Sequence, residues 1–180
     1  VQKKLVTEND DRLLKPQSPY AKIKILEEKL LKKESKNLSF MSFRFGTIAG
    51  ISKGMRFHTA INKFCLDASL NQNIKVYKTA FNQFRPYLSL KDAFKIFKIC
   101  IEKKLFLNDI YNAHSGNFTV KEIIDKIKIS KKNIKIKFVN SKIMNQLSYK
   151  VDKSKIEKLG IKLNSDINQD IQETLKILDF

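Results

Sequence analysis

The sequence predicts an α/β fold, and three observations carry that prediction. Apolar residues recur at helical spacing in several long stretches. Between them lie short apolar runs rich in β-branched and aromatic residues, which read as strands. The two kinds alternate through most of the chain, with no internal repeat.

Residues 1–17 are polar and turn-rich and read as a loop. Ser18 suits a helix N-cap and Pro19 the first helical position. The run YAKIKILEEKLLKKES then places Ile23, Leu26 and Leu30 on one face. LSFMSFRFG (38–46) reads as a buried strand ending at Gly46, and TIAGISKG (47–54) as a loop. MRFHTAINKFCLDASL (55–70) carries Phe57, Ala60, Ile61, Phe64, Cys65 and Ala68 at helical spacing. IKVY (74–77) and RPYLSL (85–90) are strands around a polar loop. KDAFKIFKICIEKK (91–104) is a helix expected to turn Phe94, Phe97 and Ile101 inward. DIYNAHS (109–115) is a strand running into a loop. Thr119 caps VKEIIDKIKI, with Glu122 closing a capping box. NIKIKFVN (133–140) alternates as a strand, and VDKSKIEKLG (151–160) is a short helix ended by Gly160. Ser165 is expected to cap a last helix with Ile167, Ile171 and Leu178 on its apolar face.

At 180 residues and 42% hydrophobic, the chain can bury a real core, and five Gly and three Pro leave little room for linker. The net charge of +18 invites a nucleic-acid reading. Only Arg12, Arg44, Arg56 and Arg85 are arginines, however, and the remaining basic residues are lysines spread over every helix. Recognition of phosphate and guanine by paired hydrogen bonds favours Arg. Abundant Lys, Ile and Asn together point to an A/T-biased coding sequence with a solvated lysine surface, so nucleic acid is not the expected partner. No apolar run reaches the length of a membrane span, and VQKKLVTENDD lacks the apolar core of a signal peptide. Cys65 and Cys100 lie inside apolar helical patterns and read as buried free thiols, which fits a reducing compartment. His58 and His114 have no partner at ligand spacing, so no metal site is expected.

The stretch SPYAKIK sets Tyr20 and Lys24 four apart, on one face of the first helix. A tyrosine can move a proton on or off a substrate oxygen when a nearby cation favours its phenolate. The spacing alone proves little. Three of the five tyrosines have a lysine four residues on, where chance at this lysine content gives roughly one. The competing reading makes Tyr20 a packed first-turn residue beside a solvated Lys24. Tyr87/Lys91 and Tyr149/Lys153 straddle element boundaries instead. Arg85 opens a strand after a polar loop, placed either to clamp a diphosphate or to pair with a carboxylate such as Asp92. The five glycines form no phosphate-binding loop.

Taken together and in order, six blocks resemble the extended short-chain dehydrogenase/reductases, the NAD-dependent epimerase/dehydratase family. They are TEND…PQSPYAKIKILEEKLL, FRFGTIAG, MRFHTAINKF, IKVY…NQFRPYLSLKDAFKIF, IYNAHSGNFTVKEIIDKI and LSYKVDKSKIEKLGI. The resemblance implies the C-terminal part of a Rossmann-like NAD(P)-binding fold plus a smaller α/β substrate lobe. Residues 1–50 would belong to the cofactor domain and 51–180 to the substrate lobe, with 91–116 returning to the Rossmann sheet. Tyr20 would be the acid/base tyrosine and Lys24 its partner, both also touching NAD or NADP. Thr47, Asn62, Arg85 and Tyr87 would line the nucleotide-diphosphate sugar. A cytoplasmic homodimer is implied, built partly through the Tyr/Lys helix.

The sequence departs from the family in places. The glycine-rich motif and the catalytic Ser or Thr would lie before Val1. IMNQLSYKV lacks the charged residues that often precede its tyrosine, and Ile23 stands where a small residue is common. The expectation is therefore an epimerase/dehydratase whose isolated 180-residue chain is inactive. The alternatives are a non-catalytic nucleotide-sugar-binding remnant and, behind it, a basic nucleic-acid-binding protein.

Overall fold

A computed structural model of the chain describes residues 5–10, 16, 18–140 and 148–179. In chain order the elements are β1 (Leu5–Val6), α1 (Pro19–Lys33), β2 (Met41–Phe45), β3 (Thr47–Ala49), α2 (Ala60–Ser69), β4 (Ile74–Tyr77), β5 (Phe84–Ser89) and α3 (Leu90–Glu102). They continue with β6 (Asp109–Ala113), β7 (Gly116–Thr119), α4 (Val120–Ser130), β8 (Ile136–Val139), β9 (Lys150–Val151), α5 (Ser154–Glu157) and α6 (Ile167–Leu178). The fold is the α/β alternation expected.

Among the described residues, four small sheets organise it. β2 pairs with β6 in parallel, from Met41↔Asp109 to Phe45↔Ala113. β3 pairs in parallel with β5, which pairs antiparallel with β7. β4–β8 and β1–β9 are parallel two-stranded ribbons. Parallel neighbours need long crossovers, and helices supply them here.

Two cores follow. Ile61, Phe64, Cys65 and Ala68 of α2 pack with Ile123, Ile124 and Ile127 of α4 and with Ile167, Ile171 and Leu175 of α6. The second core joins Ile96 and Cys100 of α3 to Tyr111 and Ala113 of β6 and to Ile156, Ile161 and Leu163, with Met41, Phe43 and Phe45 against it. Each such isoleucine, fully buried, contributes about 1.5–3 kcal/mol. Helix ends follow local chemistry. Thr119 and Glu122 form the expected capping box, with Thr119 N donating to Glu122 Oε2 at 2.6 Å and Glu122 N to Thr119 Oγ1 at 3.1 Å. Gly160 takes φ +79 after α5, a conformation that favours glycine.

Several expectations are corrected. Thr47–Ala49 is a strand rather than loop, and Gly116–Thr119 is an unanticipated strand, because both find their partner in β5. Met41–Phe45 is half-buried rather than buried. Phe43 and Phe45 pack on the second core, while Arg44 on the opposite face meets α1. Ile23, Leu26 and Leu30 of α1 are exposed, and no residue of that helix is buried. Phe94, Phe97 and Ile101 of α3 are exposed too; the buried stripe is Asp92, Ala93, Ile96 and Cys100. Both stripes have helical spacing; Ile96 and Cys100 join the second core, while Phe97 stays half-exposed, edge-on to Phe43 and Phe45. α2 begins at Ala60, leaving Phe57 exposed before it. Asp166, not Ser165, caps α6 by accepting from Asn168 N at 2.8 Å.

On α6, Asp170 is buried, and its Oδ2 has no partner among the described residues. Burial raises its carboxyl above the ordinary range, and the hydrogen bond from Ser89 only partly opposes this. A raised acid binds its proton more tightly when folded. Stability therefore falls as pH rises from the ordinary carboxylate value through the folded one, and the full cost is present above both. Asp170→Asn is expected to melt higher than the natural chain at pH 7, with the gap closing below about pH 4. A gap that does not change with pH in thermal melts would count against this reading.

Candidate active site

α1 starts where its sequence places it. Ser18 Oγ accepts from Ala21 N at 3.2 Å, and Pro19 occupies the first turn. Tyr20 thus stands in that turn, 71% exposed, with Lys24 one turn on. Lys24 Nζ lies 5.6 Å from the centre of the Tyr20 ring. The two heads share one solvent-facing patch. Lys24 also pairs with Glu27 at 2.7 Å. The hydrogen bond to Glu27, and its charge, raise the Lys24 ammonium above its ordinary value, so Lys24 is charged throughout the physiological range.

What holds this helix in place lies beneath it. Arg44 of β2 forks onto Glu28, with Nε to Oε1 at 2.8 Å and Nη2 to Oε2 at 2.7 Å. Such two-pronged pairs fix orientation as well as distance. Asn112 lies opposite Arg44 on β6, and its N–H donates to Glu8 Oε1 at 2.8 Å. The loop after β1, helix α1 and the β2–β6 sheet are thereby joined, and Tyr20 and Lys24 are carried on a fixed helix. The sequence reading did not assign Glu8, Glu28 or Arg44 a role. The scarcity of arginine was the available signal for Arg44.

The second group of residues lies on β3, β5 and α2. At Gly46 the chain leaves the β2–β6 pair for the β3–β5 pair. A Cβ there would sit 2.9 Å from the carbonyl carbon and oxygen of Pro86, so only glycine passes without displacing β5. Thr47 follows, half-buried and in register with Tyr87. The Tyr87 side chain is in the core, 2% exposed, and burial pushes its phenol up to about 12 despite the nearby Arg85. Its observed part is packing, beside Phe118.

Arg85 lies two residues earlier on β5, half-buried. Its guanidinium donates to Phe84 O at 2.7 Å and to Gln83 Oε1 at 2.9 Å, and stacks 5.1 Å from the centre of the Tyr149 ring. Asp92, the carboxylate expected as its alternative partner, is buried elsewhere, receiving Ser115 and Ser165. Tyr149 was missed as a partner because its segment reaches β5 only through tertiary pairing. Phe84 N donates to Ser148 Oγ, and Asn117 exchanges two hydrogen bonds with Val151.

Asn62 stands in the first turn of α2, 4% exposed, with Nδ2 donating to Arg56 O at 3.1 Å. Its Oδ1 has no partner among the described residues. The N-cap of this helix, Thr59, makes no side-chain capping bond. The first-turn N–H groups therefore receive no bond from the Thr59 side chain, and N–H groups left without a cap favour an anion. His114 is buried with Nε2 2.8 Å from Val151 O, and burial lowers its pKa, so it is neutral at pH 7 and donates there. Among the described residues no cluster of three His, Cys, Asp or Glu offers a metal site.

A family model described as the NAD dependent epimerase/dehydratase family matches residues 2–113. The chain belongs to that family. The matched stretch includes the TEND segment and the Tyr20 helix and ends with β6. No curated protein sequence matches this epimerase/dehydratase-family chain.

Solved structures share its fold. The UDP-glucuronic acid 4-epimerase of Bacillus cereus, in complex with NAD, aligns over 100% of this chain and 58% of its own, at 20% identity and TM-score 0.82. The UDP-glucose 4-epimerase of Thermus thermophilus, also with NAD, covers 98% and 60%, at 17% identity and TM-score 0.79. The dTDP-glucose 4,6-dehydratase of Bacillus anthracis, again with NAD, covers 96% and 56%, at 17% identity and TM-score 0.78. The chain spans about six tenths of the length of the solved structures it matches.

Proposed function

We propose that this chain is the Tyr/Lys and sugar-binding part of an NAD(P)-dependent nucleotide-sugar epimerase/dehydratase. The observation that carries the reading is the pairing of Tyr20 and Lys24 on one exposed face of a helix anchored by Arg44 and Glu28. Residues 1–50 would complete a cofactor domain lying upstream, 51–180 would hold the sugar, and 91–116 would return to the cofactor sheet. The β2–β6 pairing supports that division.

NAD(P), when bound, would supply the hydride acceptor. Tyr20 Oη takes the proton of a sugar hydroxyl as the carbon–hydrogen bond breaks, and returns it when the bond re-forms. Lys24, charged, stabilises the phenolate and offers donors to the ribose hydroxyls. Its ammonium has three donors, so the bond to Glu27 leaves two for that task. The exposed patch shared by Tyr20 and Lys24 is open to such a ligand. Arg85 and the uncapped first turn of α2, including the Asn62 N–H, suit the diphosphate. Thr47, on the strand beyond Gly46, suits the sugar. Tyr87 shapes the strand that carries Arg85.

Calorimetry with a uridine-diphosphate sugar tests the binding half. Arg85→Ala is expected to weaken binding about 10- to 100-fold. Binding that Arg85→Ala leaves unchanged would remove Arg85 from the site. Binding without NAD-dependent turnover, in protein made from the whole coding region, would leave the non-catalytic reading, in which Arg85 and Asn62 keep sugar-nucleotide affinity without chemistry.

The finer setting is also proposed. Exposed Ile23, Leu26 and Leu30 on α1 support a homodimer through that helix. Light scattering is expected to give twice the chain mass, falling to one on Leu26→Asp. A persistent monomer before substitution would rule the dimer out. Among the described residues no helix is long and apolar enough to cross a membrane. The buried free thiols of Cys65 and Cys100 support a reducing, cytoplasmic location, which fractionation of cells would check.

A further inference from the structure

Away from that site, the ends of α2 and α4 and the β4–β8 ribbon border an open cleft of about 950 Å³. Lys75, Lys131, Lys132, Lys135 and Lys137 line it together with Asn73, and among the described residues its wall contains no carboxylate and no aromatic ring. Local structure explains two of these lysines. Lys131 and Lys132 follow the C-terminus of α4, where carbonyl groups favour cations, and Lys131 pairs with Asp179 at 2.6 Å.

The strand lysines have no such reason. Lys75 and Lys137 are exposed and stand in register on adjacent strands, which run about 4.8 Å apart. Lys135 precedes Lys137 by two residues and so shares its face. Like charges set opposite one another across a ribbon repel. Among the described residues no ion pair neutralises Lys75, Lys132, Lys135 or Lys137.

We propose that this cleft binds a short oligophosphate, an anion with two or more linked phosphate groups. Ammonium groups hold phosphate as point charges, and several converging on one concavity reward an anion of matching valence. The amide of Asn73 adds a donor. The wall lacks the aromatic platforms on which bases of a single strand stack, so the phosphate chain itself is the favoured ligand over a nucleic acid.

The test is calorimetric titration of the full chain with sodium tripolyphosphate at about 0.15 M salt. Saturable binding at one site is expected. The double variant Lys75→Gln/Lys137→Gln should weaken it by about tenfold or more. Lys29→Gln/Lys33→Gln, removing the same charge from the distant α1, should leave it unchanged. Because the double variant relieves a repulsion, it should also melt no lower than the natural chain when no anion is present. If it fails to fold, Lys135→Gln alone serves as the binding variant. Equal weakening by both double variants would mean a diffuse lysine field and overturn the proposal, as would the absence of saturable binding. A single-stranded oligonucleotide that binds more tightly than tripolyphosphate through the same lysines would overturn it in favour of nucleic acid.

Discussion

Replacing Tyr20 with phenylalanine is expected to lower NAD-dependent turnover of a nucleotide-diphosphate sugar by about 10²- to 10⁴-fold, the range that positioned proton transfer contributes. The substitution removes one oxygen and leaves the ring. Tyr20 is 71% exposed and makes no core contact, so the fold and its melting temperature should not change. Binding of the sugar nucleotide, assigned to Arg85 and the start of α2, should also hold. A loss confined to turnover therefore separates a proton-transfer role from a structural one. Lys24→Met should fall in the same direction while keeping the tyrosine, because the phenolate loses its neighbouring charge. The assay belongs on protein expressed from its whole coding region. If Tyr20→Phe keeps more than about half of the natural rate, the phenol is not the group that moves the proton.

Asp92→Ala is the stability prediction with the largest expected effect. Asp92 is 1% exposed at the start of α3. Its Oδ2 accepts from Ser115 Oγ at 2.6 Å and from Ser165 N at 3.0 Å, and its Oδ1 accepts from Ser165 Oγ at 2.8 Å. One carboxylate thus ties α3 to the turn after β6 and to the approach of α6. Each stranded buried donor costs about 1–3 kcal/mol, so the expected loss is roughly 3–5 kcal/mol. For a chain of this length that is a fall of roughly 6–20 °C in melting temperature. Asp92→Asn keeps one acceptor and should lose less. A shift of under about 2 °C for the alanine variant would show that water replaces the carboxylate at little cost.

Asp92 also shows how far the sequence can be read. In the sequence it is a candidate partner for Arg85, and Ser165 a helix cap. The structure joins Asp92 to Ser165 instead and lays Arg85 over Tyr149. Neither pairing has a local signature, since the partners are far apart in the chain. The Thr119 capping box was legible because both of its members lie within one turn. Tyr20 and Lys24 were legible for the same reason. Their anchoring pair, Arg44 and Glu28, was not, because it joins a strand to a helix that only the fold brings over it.

By itself the sequence determined the alternation of strands and helices, most helix limits, the buried faces of α2 and α6, the α4 capping box, the Tyr20/Lys24 juxtaposition and the likeness to a family. These rest on periodicity and capping, which are carried within a turn or two of chain. Only the tertiary structure decided that Thr47–Ala49 and Gly116–Thr119 are strands, since each depends on a distant partner in β5. It also decided which of two apolar stripes α3 buries, since Ile96 and Cys100 meet core partners on β6 and at Ile156, Ile161 and Leu163 that lie elsewhere in the chain. It placed Tyr87 in the core and aligned Lys75 with Lys137 across a cleft. A pattern of residues states which faces are apolar or charged. Which face meets which partner depends on packing between segments that the pattern does not connect.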